Sequence, residues 1–377
     1  MTTTRREKSL IVIQLTGGND YLNTVVPYED GRYYDHRSTV NIPQEKVIPV
    51  DGQVGFNPSM GPIKTLWDEG KVAVINGIGY QTPNRSHFRS MDIWHTAEPD
   101  SIGREGWLGR AIRDIDPQGD NVLTGINFGR GLPRALGCPG VSVASVGDLA
   151  TYGLFPDVRD EELRMFTLEA FSRMYGGAAG GDPVLNFLGQ TGQDALHGAD
   201  ILRTAPAKYS SSVEYAPNSL AQNVKAISQV FHADLGSRVL YTTHASFDTH
   251  SGELLTHAKL WDEVAGAVGC LMDDLEEHGR EDDASILIFS EFGRRIKDNG
   301  SGSDHGSGGV AFLIGGAVDG GMYGEYPSLA EAEQLEGDLR SNNDFRSVYT
   351  DILEDWMGLD AAPIVNGQFE KLNLFRS

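Results

Sequence analysis

Five short, unbroken apolar runs constrain this chain more than anything else in it: residues 10–15 (LIVIQL), 72–75 (VAVI), 239–243 (VLYTT), 286–289 (ILIF) and 310–314 (VAFLI). A strand that stays apolar without alternating is buried on both faces, and such strands belong to mostly parallel sheets covered by helices. Helical periodicity over residues 86–95, 161–174, 218–233, 253–278 and 344–357 supplies that cover. In the longest of these, Leu254, Leu255, Ala258, Trp261, Val264, Ala265, Val268 and Leu271 recur at helical spacing. That face is expected against the sheet, with His257, His278 and the carboxylates on the solvated side. The fold class is α/β, a doubly wound, mostly parallel sheet. Residues 120–235 are less regular, with FGRGLPRALGCPG and a glycine-rich hinge at 176–182, and read as a cap inserted within a single domain spanning 1–377.

Charge limits the partners. The chain has 53 acidic and 31 basic residues, a net charge of −22. That field repels phosphate backbones and excludes nucleic acid as the main ligand, so an anionic substrate must be drawn in by metal ions or local arginines. No stretch has the roughly 20 apolar residues of a membrane span. Cys138 and Cys270 are far apart, without disulfide or thiolate-zinc spacing. Arg5-Arg6 hints at a twin-arginine signal, but the five apolar residues that follow are too few for an export signal. The expectation is a cytoplasmic chain as given, or a periplasmic one from which a signal has been removed.

In a parallel sheet ligands bind beyond the carboxyl ends of the strands, so the loops after the apolar runs carry the chemistry. They hold Asp20 in TGGND, Ser86 and His87 in NGIGYQTPNRSHF, His244, Asp248 and His250 in HASFDTH, and Glu291, Arg294 and Arg295 in SEFGRR. Asp304 and His305 lie in NGSGSDHGSGG, just before VAFLI. Carboxylates and imidazoles gathered from several strand ends form a mixed oxygen and nitrogen set suited to a divalent metal. Each residue also has a plainer reading. Asp20 fits a turn or helix cap, and Ser86 fits a helix N-cap as well as a nucleophile. His87 and His95 read as packing groups or as groups behind the ligands, and Arg294 or Arg295 is an alternative partner for a buried Glu291.

The strings LIVIQLTGGNDYLNTVVPY, NRSHFRSMDIWHTA, GWLGR, SFDTHSGE, ILIFSEFGRR, GSDHGSGG and DFRSVYTDILEDWMG run in order from residue 10 to 358. They resemble the DUF1501 family of the alkaline phosphatase-like (sulfatase-like) superfamily. The resemblance implies a doubly wound sheet of alkaline phosphatase-like type whose strand ends hold one or two divalent metals (zinc, manganese, calcium or magnesium) and a nucleophile. Carried over residue by residue, it implies Ser86 as nucleophile and Asp20, Asp248, His250, Glu291, Asp304 and His305 as metal ligands. Two departures stand out. The Asp248-Thr-His250 spacing is shorter than the Asp-x-x-x-His of alkaline phosphatases, and Glu291-Phe292 replaces an Asp-His pair, which removes one imidazole. The formylglycine signature of conventional sulfatases is absent.

The expected activity is metal-dependent hydrolysis of a small phosphate or sulfate ester, with Ser86 attacking and Arg89 or Arg294 stabilising the developing charge. The alternatives are a non-catalytic, metal-stabilised binding or structural protein, and a phosphomutase of the same superfamily. Oligomeric state is left open.

Overall fold

The computed structural model describes residues 7–149, 152, 161–176 and 183–376. The stretch of the expected hinge from 177 to 182 lies outside them. Among the described residues a nine-stranded sheet forms from β1 (Ser9–Leu15), β2 (Val72–Gly79), β3 (Gly125–Phe128), β4 (Ala144–Val146), β5 (Val239–His244), β6 (Ala284–Ser290), β7 (Gly309–Ile314), β8 (Gly321–Tyr323) and β9 (Asn343–Asp344). The order is β8-β2-β7-β6-β1-β5-β3-β4, with β9 also paired to β2. All five apolar runs are central strands, and β1 pairs in parallel with both β5 and β6.

One strand runs against the rest: β7 is antiparallel to both β2 and β6. For a reversed strand, the segment entering it lies at the carboxyl ends of its neighbours. This is why Asp304 and His305, which precede their strand, reach the same edge as residues that follow theirs.

Helices cover both faces. The side chains of Ile11, Ile13 and Leu15 join a core with α1 (Gly61–Asp68), while Leu10 and Val12 join another with α2 (His87–Thr96) and α3 (Trp107–Ile115). The first core also takes in α4 (Ser219–His232) and α5 (Glu253–Glu277), and the second takes in α6 (Phe345–Asp351). Helices on two faces of a parallel-dominated sheet make the fold doubly wound. Within the stretch read as an insertion, β3 and β4 extend the sheet and α4 packs on α5.

The phase of α5 differs from the expectation. Leu254 and Leu255 are 41% and 85% exposed, whereas Glu253, His257 and Asp274 are buried. The buried positions 253, 257, 261, 264, 268, 271 and 275 share one helical face. Polar residues on it are tolerated because they are bonded. His257 Nε2 lies 3.1 Å from Asn19 Oδ1, and Glu253 accepts from Asn23 and Ser303.

Candidate metal centre

The carboxyl edge of the sheet is built by close backbone approach. Gly17 has φ +122°, and a Cβ on it would lie 2.3 Å from the Asp248 nitrogen, so only glycine lets the turn after β1 support the loop after β5. Gly302 similarly lies against the backbone of Thr249 and His250. Arg294, 1% exposed, ties these segments together. Its guanidinium donates to the carbonyls of Gly17, Gly18, Phe247 and Ser303, and at 2.6 Å to Asp248 Oδ1. Every one of its nitrogens is thereby engaged, so it fixes Asp248 rather than facing a substrate.

Three imidazoles turn towards Asp248. His305 donates from Nδ1 to the Arg85 carbonyl at 2.8 Å, which leaves Nε2 3.0 Å from Asp248 Oδ1. His250 has Nδ1 2.9 Å from Asp304 Oδ1 and Nε2 3.0 Å from both Asp248 Oδ1 and His305 Nε2. His87 has Nδ1 2.9 Å from Glu291 Oε1, and its Nε2, buried and with no hydrogen-bond partner among the described residues, lies 3.5 Å from Asp248 Oδ2. Each ring is thus held at Nδ1 by an oxygen acceptor and presents Nε2 inward. This is the arrangement by which proteins orient histidine ligands to a metal. Ligand atoms of His87, Asp248 and His305 lie within 4.8 Å of one another.

The donor set fits a cation. Inward nitrogen lone pairs around an anionic oxygen repel unless a proton or a cation lies between them, and a nitrogen-rich set with one carboxylate suits zinc better than calcium or magnesium. Asp248 and His250 are 44% and 43% exposed, so the cluster opens to solvent. Burial works against ionisation of Asp248, but hydrogen bonds from Arg294 and His305 and the charge of Arg294 outweigh it and hold the carboxyl below its usual range. The Glu291 hydrogen bond raises His87 above the ordinary imidazole value.

Of the expected ligands, Asp248, His250 and His305 are brought together. Glu291 and Asp304 stand one step back, behind His87 and His250. Glu291 is 1% exposed and also accepts from the Gly17 amide and Ser290. Asp20 is directed elsewhere: its two oxygens accept from Arg37 at 2.6 and 2.9 Å in a fully buried pair. A guanidinium there neutralises the carboxylate as a metal would. His87, expected as a packing group or a group behind the ligands, instead presents its Nε2 inward beside Asp248. It provides an imidazole where Phe292 withholds one, and the Phe292 ring lies 5.0 Å from both His87 and His305. The available signal was its place directly after Ser86 at the start of a helix behind a strand.

Ser86 is the N-cap residue of α2, yet its side chain makes no capping hydrogen bond. Its amide donates to Asn84 Oδ1 at 2.8 Å, and the residue is exposed. Arg89 is engaged by Asp92 and by the carbonyls of Glu98, Pro99 and Ser101, so it secures the loop after α2. His95 is buried against Gln14, and burial pushes it down to about 4. His244 pairs with Glu263, and Arg295 lies 3.8 Å from Asp338.

Fold and cluster together define a doubly wound α/β protein with a histidine–aspartate centre at the carboxyl edge of its sheet. Residues 199–361 match the model of the DUF1501 family, described as a protein of unknown function, in line over that stretch with the DUF1501 resemblance read from the sequence. The match takes in Asp248, His250, Glu291, Asp304 and His305; the blocks around Asp20 and Ser86 lie outside it. No curated protein matches the chain. Similar solved structures include a sulfatase from Pseudoalteromonas sp., 14% identical, with a TM-score of 0.44 over 98% of this chain and 72% of that one. A protein in the alkaline phosphatase superfamily from Vibrio parahaemolyticus is 10% identical, with a TM-score of 0.43 over 97% and 70%. The phosphonate monoester hydrolase of Agrobacterium radiobacter is 12% identical, with a TM-score of 0.42 over 97% and 78%. Among the described residues no helix is long and apolar enough to cross a membrane.

Proposed function

We propose that the chain is a metal-dependent hydrolase of small phosphate or sulfate esters, with His87, Asp248, His250 and His305 holding the metal and Ser86 as nucleophile. The observation that carries this reading is the convergence of three imidazoles, each pinned at Nδ1, on one carboxylate. Ser86, next to His87 in the chain and without a side-chain capping bond, is the serine the resemblance offers as nucleophile. A divalent cation held there supplies Lewis acidity and offsets the charge of an anionic ester. The chain's own residues do the rest. Ser86 offers its oxygen at the start of α2, where the free helical amides favour an anionic group. Glu291, Asp304 and the Arg85 carbonyl keep the imidazoles aimed, and Arg294 keeps Asp248 in register. Asp20 with Arg37 holds the turn beneath them, and Arg89 serves α2 rather than the ester.

The engagement of both Arg89 and Arg294 favours a second reading, a metal-stabilised protein that binds without turnover. A panel of aryl phosphates, phosphodiesters and aryl sulfates separates the two. Metal-replete wild-type protein is expected to turn over at least one class, and Ser86→Ala to lose about a thousandfold or more in kcat. Full turnover by Ser86→Ala would remove the serine from the mechanism, and an inert wild-type protein would leave the binding reading.

A further inference from the structure

The end of the sheet opposite the metal centre holds a second group of converging ligand atoms. α4 leads into β5 and α5 into β6, so the carboxyl ends of these helices lie beside the amino ends of the strands. There His232 is the last residue of α4, Asp274 is in the last turn of α5, and His278 is the C-cap residue of α5.

Asp274 is fully buried. Its Oδ2 accepts three hydroxyl hydrogen bonds, from Tyr209 at 2.6 Å, Tyr215 at 2.8 Å and Ser228 at 2.6 Å. Its Oδ1 has no hydrogen-bond partner among the described residues and faces His278 Nδ1 at 3.3 Å. A buried carboxylate oxygen left bare beside one bonded three times is costly unless a cation completes it. His232 donates from Nδ1 to the Ser228 carbonyl at 2.9 Å, so its Nε2 is a bare lone pair, also buried and unpartnered. His278 has Nε2 3.0 Å from the Ser210 carbonyl and Nδ1 2.7 Å from the Asp274 carbonyl. The two imidazole centroids are 4.2 Å apart, and one ligand atom from each of His232, Asp274 and His278 lies within 4.8 Å of the others.

We propose that His232 Nε2, Asp274 Oδ1 and His278 Nδ1 form a second, structural site for a transition-metal ion of the zinc class. Two imidazoles and a carboxylate are a donor set for such an ion. The surrounding bonds are those expected behind ligands: three hydroxyls orient the carboxylate, and the carbonyls of Ser228 and Ser210 hold the outer nitrogens of the two rings. Occupancy displaces the proton that His278 Nδ1 otherwise donates to the Asp274 carbonyl. The ion joins the ends of α4 and α5 and, through Tyr209, Ser210 and Tyr215, the segment that precedes α4.

The test uses the full chain, stripped of metal and titrated with zinc by calorimetry. A His87→Ala/His305→Ala variant disables the first centre and is expected to keep one equivalent of zinc uptake, with a melting temperature that zinc raises by a few degrees. Adding His232→Gln is expected to abolish both effects, with far-UV circular dichroism confirming the fold. Absence of uptake in the double variant, or uptake untouched by His232→Gln, overturns the proposal and leaves His278 as an imidazolium between two carbonyls. Should the triple variant not fold, wild-type crystals grown with zinc decide. An anomalous peak between His232, Asp274 and His278 supports the site, and an empty map there overturns it.

Discussion

Glu291, expected as a metal ligand, lies behind His87, whose Nδ1 is 2.9 Å from its Oε1. A carboxylate at the end of a buried strand must be compensated, and the sequence justified expecting a cation beside it. The compensation is instead His87 Nδ1, the Gly17 amide and Ser290. Replacing it by glutamine leaves all inward ligands in place but loosens the ring, so Glu291→Gln is expected to weaken zinc binding about 10–100-fold by competition titration. Glu253 makes a second prediction at this scale. Burial and the neighbouring Asp20 charge push its carboxyl up to about 9, so the folded chain holds a proton that the unfolded chain releases near 4.5. Between about pH 5 and 9 the folded state therefore binds more protons, and stability falls as pH rises through that window. Glu253→Gln is expected to flatten urea-measured stability across it by about one proton's worth of slope; an unchanged slope would show that Glu253 is ionised in the fold.

The helix α5 shows where periodicity misleads. Its leading pair, Leu254 and Leu255, suggested the buried face, yet both are exposed while Glu253 and His257 point inward. An apolar count cannot see that Asn19, Asn23 and Ser303 will be present to satisfy those polar groups, because these partners come from other parts of the chain. From Trp261 onward the expected apolar positions are the buried ones, with Asp274 the carboxylate that departs from the expected solvated side. Trp261 is fully buried and donates to Asn19 Oδ1 at 3.1 Å. Trp261→Ala is accordingly expected to cost about 3–5 kcal/mol in urea unfolding, whereas Leu255→Ser should stay within about 0.5 kcal/mol. The strands were the most legible elements, since a run apolar on both faces has few alternatives. The short outer strands β3 and β4 lack that signal, and residues 121–150 read only as short strand-like pieces within an inserted cap rather than as strands of the main sheet.

At the scale of the molecule, the reversed direction of β7 is what completes the candidate centre, bringing Asp304 and His305 to the edge reached by β2, β5 and β6. No single segment encodes this: the Asp248-Thr-His250 and Asp304-His305 pairs were visible in the loops, but their convergence on His87 depends on the order of strands. The net charge of −22 gives the chain as a whole a repulsive field for anions. Raising ionic strength screens it, so kcat/KM for a dianionic ester should rise with salt before levelling off; a steady fall would mean that local cations dominate capture. The central claim, that three imidazoles and Asp248 hold a metal, is met most directly by anomalous diffraction at the zinc edge from crystals of the metal-replete chain. The account predicts a peak enclosed by Nε2 of His87, His250 and His305 and the Asp248 carboxylate. Well-ordered side chains with no peak between them would contradict it.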